Sequence, residues 1–240
     1  MELTILMPCL NESSSVVFCI QQASAYLKSR EITGEVLIAD NGSNDGSREL
    51  ALAAGARVIT VPEKGYGNAI RCGIYAAEGR YIIIGDCDGS YDFSDLDPIL
   101  EKLRQGWHLV IGNRFSGGIS QGAMPFSHRY CGVPLLSWLG RCRYKVNIMD
   151  FHCGLRGLDR TAAMETKFQC SGMEFATEMI GRFADAGFKI AQVPVFLGKD
   201  LRQHPGHLRT IPDGMRHLLL ILFWKKYWYI SSGNQQDLPE

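Results

Sequence analysis

The chain has 240 residues, of which 46% are hydrophobic and 21% charged, a composition typical of one ordinary globular domain. Its 25 basic and 25 acidic residues cancel, so nothing favours overall electrostatic attraction to nucleic acid. The eight cysteines include no CxxC pair, which argues against a small disulfide-stapled secreted protein and predicts reduced thiols in the core of a cytoplasmic protein.

The first half of the chain alternates predicted strands and helices. It opens directly on the apolar run LTILM, so no signal peptide is predicted. Strands are predicted at 3–8, 35–39, 56–61 and 81–85, with a helix after each of the first three. Ser13 or Ser14 is the expected cap of the first helix. Strands that are nearly continuous runs of Val, Ile and Leu indicate a mostly parallel sheet with helices on both faces, in a single α/β domain.

The second half is less regular. A Gly-rich loop at 116–127 precedes predicted helices at 131–144 and 174–186, and a last strand at 189–196 leads into a basic loop. We expect one domain over 1–216, followed at 217–240 by an apolar, aromatic helix and a polar tail. The apolar run in that helix is too short to span a bilayer. Its aromatic residues with Lys225 and Lys226 suit a membrane surface, whereas packing on its own domain is the alternative.

Two aspartates, Asp86 and Asp88, directly follow the apolar run YIII. The carboxyl ends of parallel strands meet at the ligand-binding edge of an open sheet. Two close carboxylates remain ionised together when a cation is nearby, and hard oxygen ligands select Mg²⁺ or Mn²⁺, which also bind substrate phosphates. The pair therefore predicts a metal-bound diphosphate, unless the aspartates only cap a turn.

Polar residues also follow the three preceding strands. Glu12, Asp40 and Asn41 offer hydrogen-bond acceptors to a base or ribose. Lys64 and the adjacent Gly-Tyr-Gly allow a phosphate to approach the start of a helix. Together these strand ends are predicted to bind one nucleotide.

Seven motifs occur in order along the chain: MPCLNE, ADNGSNDGS, KGYGNA, GDCDGSYDF, GNRFSGG, DFHCGLRGLDR and GMEFATEM. The set resembles family 2 glycosyltransferases of the Rossmann-like GT-A fold, particularly the branch of dolichyl-phosphate mannose and glucose synthases, over about Leu3 to Arg216. The resemblance implies transfer of a sugar, with inversion, from a nucleotide-sugar donor to a polyprenyl phosphate. It places the nucleotide against these residues: Pro8, Leu10, Glu12, Asn41 and Lys64. It places Mn²⁺ or Mg²⁺ on Asp86 and Asp88.

Two departures from the family pattern bear on the donor and the metal. The family commonly has an aspartate where this chain has Asn41, and an amide suits the mixed donor and acceptor edge of uracil better than guanine. A UDP-sugar is therefore expected rather than a GDP-sugar. The synthases also often have an amide two residues beyond the second aspartate; here Ser90 stands there, and Asp92 is a substitute metal ligand to consider.

Acceptor-side residues are predicted from the last third of the chain. Asp150, Glu174 and Glu178 are candidate carboxylates, and Glu174 is expected to contact the donor sugar or acceptor, although one of this pair on a helix face could be structural. Lys199, Arg202 and Arg209 are expected to bind phosphate, with Arg202 contributing to catalysis. A solvated basic face is the alternative.

Three other functions fit parts of the sequence. A glycosyltransferase acting on a hydroxyl of a small metabolite or glycan fits the same motifs. IIIGDCDGS also resembles the first motif of haloacid-dehalogenase-like phosphatases, but it falls on the fourth strand rather than the first. A binding protein that has lost turnover would keep the same fold.

Overall fold

The computed structural model describes residues 1–202 and 209–224. The strands in these ranges are β1 (Leu3–Cys9), β2 (Gly34–Asp40), β3 (Arg57–Thr60), β4 (Tyr81–Ile84), β5 (Leu109–Asn113), β6 (Arg156–Asp159) and β7 (Ile190–Pro194). The helices there are α1 (Val16–Ser29), α2 (Ser47–Ala53), α3 (Tyr66–Ala76), α4 (Asp97–Arg104), α5 (Arg114–Gly117), α6 (Val133–Tyr144), α7 (Arg160–Glu165), α8 (Phe175–Asp185) and α9 (Thr210–Leu222). A π-helical turn at His128–Gly132 precedes α6.

The strands form one seven-stranded sheet in the order β3-β2-β1-β4-β6-β5-β7. β6 runs antiparallel to both of its neighbours, and the other pairs are parallel. The mostly parallel α/β sheet predicted from the apolar runs is thus confirmed. Because β6 is reversed, the loop that leads into it reaches the edge where the parallel strands end.

The core lies on both faces of the sheet. Successive residues of a strand point to opposite faces, yet Ile5, Leu6 and Met7 are all fully buried, as are Ile82 and Ile83. Burial of each such side chain stabilises the folded state by about 1.5–3 kcal/mol. Helices therefore cover both faces, as a parallel sheet requires.

Several local expectations change in the structure. Ser15, not Ser13 or Ser14, precedes α1, and its hydroxyl donates to the carbonyl of Cys87 (2.7 Å) instead of capping the helix. The helix expected at 131–144 begins as an α-helix at Val133, because residues 131 and 132 belong to the π-helical turn. β6 has the sequence RGLD, which lacks an apolar run, so its pattern did not indicate a strand.

The cysteines are free thiols, as expected, but they are not all in the core. Cys131 and Cys142 are exposed on the surface around α6. The other six are buried or partly buried. The expectation of a wholly internal set of thiols was therefore wrong for these two.

The last described helix packs on the domain through one face. Leu220, Ile221 and the following Trp224 are buried, and α9 contacts α6 and α8. The predicted division at 216/217 falls within this continuous helix. Within the described ranges, no helix combines the length and apolarity needed to cross a membrane. Residues 203–208, with His204 and His207, and 225–240, with Lys225 and Lys226, lie outside these ranges.

Candidate active site

A cavity of about 580 Å³ opens at the edge of the sheet where the parallel strands end. It brings together most of the residues that the strand-end motifs and the basic loop singled out: Pro8, Leu10, Glu12, Asn41, Lys64, Asp86, Asp88, Arg202 and Arg209. Asp40, Glu174 and Lys199 do not line it. A cavity of this size is in the range of small-ligand sites.

Asp86 and Asp88 lie in the floor of the cavity after β4. Asp88 Oδ1 accepts hydrogen bonds from the backbone N–H and the hydroxyl of Ser90 (2.9 and 2.6 Å). Asp86 Oδ1 accepts one from the Tyr66 hydroxyl (3.2 Å). Loss of hydration, and then the charge of Asp88, raises the pKa of Asp86 to about 6. The ionised pair is therefore costly without a positive charge beside it.

Arg202 supplies a positive charge to the acidic cluster formed by Glu12, Asp86 and Asp88. Its guanidinium lies 2.6 Å from Glu12 Oε1 and 3.2 Å from Asp88 Oδ2. Backbone hydrogen bonds hold its loop in place, from Gly198 N to the Ser90 carbonyl and from Leu201 N to the Asp88 carbonyl, each 2.8 Å. Residues 198–202 are thus fixed against the turn that carries Asp88.

The acidic cluster fits a hard divalent cation. Among the described residues, no group of three or more His, Cys, Asp or Glu side chains is arranged to hold a metal. Mg²⁺ is commonly bound through one or two carboxylates and completed by substrate phosphates and water, which matches what Asp86 and Asp88 offer. Asp92, considered above as a ligand, accepts instead from Ser94 and Gln22 and does not line the cavity.

Asn41 and Asp40 have different roles at the end of β2. The Asn41 amide donates to the Glu63 carbonyl (2.8 Å), and its oxygen accepts from Gly65 N (2.7 Å). It therefore fixes the loop carrying Lys64, and keeps one N–H and one lone pair for a ligand. Asp40 is buried and accepts from Ser43 N (3.2 Å), which closes a turn outside the cavity.

Glu174, directly before α8, and Glu178, within it, lie behind the cavity. Glu178 is fully buried and accepts from the backbone N–H groups of Gln169 and Cys170, each at 2.8 Å, while burial raises its pKa. It is the structural member of the pair. Glu174 accepts from Gly172 N (3.3 Å) and faces Arg216 at 4.0 Å, so it supports a loop that lines the cavity.

The two other basic residues of the predicted phosphate clamp are separated. Arg209 is on the rim of the cavity, 3.9 Å from Asp213. Lys199 lies beside Gly122 in the Gly-rich loop, away from the lining. Charge spacing along a loop carries no information on which side chains turn inward.

Several lining residues had not been singled out for the site. They are Tyr66, Arg114, His128, Arg216 and His217. Arg114 forms a two-pronged ion pair with buried Asp150, with distances of 2.7 and 2.8 Å. Arg114 belongs to the GNRFSGG motif, so the sequence contained a signal for it. His217 belongs to no motif, and helix periodicity alone could not have placed it in the cavity.

The fold and the acidic cluster define the class of this protein: a glycosyltransferase of the GT-A fold. The family profile described as Glycosyl transferase family 2 matches residues 4–166. The chain belongs to glycosyltransferase family 2, and the phosphatase interpretation is wrong.

Two curated relatives are informative. The low-salt glycan biosynthesis hexosyltransferase Agl6 of Haloferax volcanii is 36% identical over 92% of this chain and 53% of its own length. The dolichyl-phosphate beta-glucosyltransferase of Mus musculus is 28% identical over 69% of this chain and 57% of its own length. The chain thus spans about half the length of these relatives.

A solved structure supports the fold. Glucosyl-3-phosphoglycerate synthase from Mycobacterium tuberculosis, in complex with Mn²⁺ and UDP-glucose, has a TM-score of 0.71 and 21% sequence identity. The match covers 93% of this chain and 78% of that one. At this identity the likeness concerns the GT-A fold.

Proposed function

We propose that this glycosyltransferase uses Mn²⁺ or Mg²⁺ to transfer a hexose from a UDP-sugar to a polyprenyl phosphate at a membrane surface. The observation that carries the proposal is one cavity lined by two chemically different groups of side chains. The Glu12, Asp86 and Asp88 carboxylates, from the segments after β1 and β4, form what we call its acidic end. Arg209 and Arg216, directly before α9 and within it, form what we call its basic end.

The acidic end is suited to the donor. Asp86 and Asp88 would hold the metal, which neutralises charge that develops on the departing diphosphate. Arg202, which faces the carboxylates of Glu12 and Asp88, is placed to offer its guanidinium to the diphosphate. Asn41 keeps one donor and one acceptor for the base, as uracil needs. UDP is also the nucleotide of the mycobacterial complex.

The basic end is suited to an anionic acceptor. A phosphate monoester is already a nucleophile, so the chain need not supply a general base there. One phosphate oxygen would form the new bond to the anomeric carbon as the bond to the nucleotide diphosphate breaks. The mouse relative named above is a dolichyl-phosphate enzyme, which agrees with such an acceptor.

Exposed apolar side chains occur on the two helices that contribute to this part of the cavity. Val133 and Leu136 of α6 line the cavity, while Leu135 and Trp138 of the same helix are 57% and 52% exposed. Ile211 of α9 is 79% exposed. Apolar side chains next to a phosphate-binding end fit a lipid-linked acceptor and peripheral contact with a bilayer.

A donor and acceptor screen tests the proposal. UDP-glucose, UDP-GlcNAc, UDP-galactose and GDP-mannose are each incubated with Mn²⁺ and polyprenyl phosphate, and the products are measured by mass spectrometry. Asp88→Ala should reduce transfer about 100-fold or more, because removal of one preorganised charge-stabilising group has an effect of that order. Asp92→Ala is the matched control and should retain wild-type transfer, since Asp92 lies outside the cavity.

The outcomes separate the alternatives. A glycosylated lipid phosphate that is lost in Asp88→Ala supports the proposal. Donor hydrolysis without a lipid product contradicts the lipid acceptor and favours a hydroxyl compound. Faster transfer from GDP-mannose than from every UDP-sugar contradicts the donor preference.

A further inference from the structure

His152 lines the cavity with two unsatisfied ring nitrogens. Both Nδ1 and Nε2 are buried, and neither has a hydrogen-bond partner. Among the described residues that line the cavity, His152 is the one side chain with buried polar atoms left in this condition. Buried polar groups are nearly always paired, so a cavity-lining side chain with two unpaired ring nitrogens is a candidate ligand contact.

The neighbours of His152 do not satisfy it because they are already engaged. Arg114 binds Asp150 through two nitrogens. The Arg156 guanidinium donates to three backbone carbonyls, with distances of 2.6 to 2.7 Å. The His217 ring lies 4.4 Å from the His152 ring, edge to face, and its Nδ1 pairs with Thr177 Oγ1 at 2.8 Å.

His152 is a neutral imidazole in this environment. Burial lowers its pKa well below the ordinary value, and the positive charges of Arg114 and Arg156 act in the same direction. A neutral ring has one N–H donor and one acceptor nitrogen. Either ring nitrogen can pair with a hydroxyl group, which both donates and accepts, whereas an ionised phosphate oxygen can only accept.

The loop that carries His152 also touches the acidic end of the cavity. Gly154 lies so close to Asp86 that a Cβ added there would be 2.3 Å from Asp86 Oδ2. Gly154 N donates to the Tyr91 hydroxyl at 2.9 Å, which fixes the loop. The ring is therefore two residues from the point where this loop meets the predicted diphosphate site.

We propose that His152 hydrogen-bonds a hydroxyl group of the sugar being transferred and so contributes to selection of the donor sugar. The inference rests on the proposed function, because the sugar is the uncharged part of the donor next to the diphosphate. Contacts within the folded chain leave both ring nitrogens of His152 without a partner, and the proposal gives this side chain a role in binding.

The test compares donor binding with nucleotide binding. Isothermal titration with Mn²⁺ measures Kd for UDP-glucose, UDP-GlcNAc and UDP, and for GDP-mannose and GDP, on the wild type and His152→Phe. For the nucleotide sugar that the wild type binds most tightly, the variant should bind about 10-fold more weakly, the equivalent of one lost hydrogen bond. The affinity of the variant for the matching nucleoside diphosphate should change by less than about 2-fold, because that ligand lacks the transferred sugar.

Two further variants make the result specific. His152→Gln, which offers one donor and one acceptor, should recover part of the lost affinity. His108→Phe is the matched control, because His108 packs on Phe188 at the opposite edge of the sheet and should leave both affinities unchanged. The melting temperature of His152→Phe should not fall, because the substitution removes two unsatisfied nitrogens; should that variant fail to fold, the comparison is made on His152→Leu.

The outcomes distinguish this inference from the function on which it rests. Equal weakening of sugar nucleotide and nucleotide, or no weakening, would overturn the sugar contact and leave the proposed function standing. A wild type that binds none of the nucleotides would overturn the proposed function itself, and the inference with it.

Discussion

Asp86, Glu178 and His217 show how burial sets the charge of single side chains in this protein. Burial and the neighbouring Asp88 raise the pKa of Asp86 to about 6. Burial also raises the pKa of Glu178, although two backbone N–H groups and Arg182 favour its ionised form. Burial, assisted by Arg156, lowers the pKa of His217 to about 3. Around the cavity, desolvation is therefore the largest influence on protonation.

His217 should make the fold sensitive to acid. An unfolded histidine has a pKa of about 6.5, so between pH 6.5 and about 3 the unfolded chain binds a proton that the folded chain does not. Stability should therefore fall as the pH drops through this window, by up to about 1.4 kcal/mol per pH unit for this residue. Urea unfolding at pH 7.5, 6.5 and 5.5 measures the slope.

His217→Gln should make that slope shallower. The slope should not vanish, because His152 is also held neutral by burial and contributes in the same direction. If His217→Gln and the wild type lose stability in parallel between pH 6.5 and 5.5, the assignment to His217 is incorrect.

Close backbone contacts position the loops that line the site. The first turn of α3 packs against the loop before α8, where Gly67 N donates to the Ser171 carbonyl (2.9 Å). The antiparallel β6 brings the loop with His152 and Gly154 to the same edge. These contacts require glycine, since a Cβ on Gly67 would lie 2.3 Å from the Cys170 carbonyl oxygen.

Gly67→Ala should destabilise the protein by about 1–3 kcal/mol, because the added methyl group forces two backbones apart. Gly214→Ala is the matched control in α9. A Cβ there meets nothing within 4 Å, and alanine favours a helix over glycine by about 1 kcal/mol. The free energies of unfolding from urea titrations should thus change in opposite directions, and a neutral Gly67→Ala would contradict the tight packing of α3.

The exposed apolar side chains of the protein include a group around the mouth of the basic end. Trp138 on α6 and Ile211 on α9 project from helices that contact each other and line the cavity with their inner faces. Arg209 and Arg216 of the cavity lining are exposed beside these helices and add positive charge. This combination suits an anionic membrane surface.

Trp138→Asp combined with Ile211→Asp should reduce binding to anionic phospholipid vesicles at least about 10-fold in a sedimentation assay, because burial of each side chain contributes about 1.5–3 kcal/mol. Leu52→Asp is the matched control, since Leu52 is equally exposed, at 52%, but lies on α2. Unchanged vesicle binding by the double variant would contradict membrane contact through this surface.

Local patterns were enough to predict the sheet and much of the acidic end of the cavity. Continuous apolar runs require burial on both faces, and the carboxyl ends of parallel strands converge whatever the details of packing. Glu12, Asn41 and Asp86 follow such strands directly, so their presence in one cavity could be inferred from the chain alone.

Long-range contacts decided which polar side chains face the cavity. Glu174 turns to Arg216 and Lys199 lies against the Gly-rich loop, although their sequence neighbours line the cavity. Asp40 is the exception, because a local turn to Ser43 engages its carboxylate. His152 and His217 meet across 65 positions of sequence through the packing of α9 on α8. The succession of strands and helices along the chain can be read from short stretches of sequence, because it depends on local apolar patterns. The direction of a loop side chain depends on which backbone or charge it meets after folding, and that is a property of the tertiary structure.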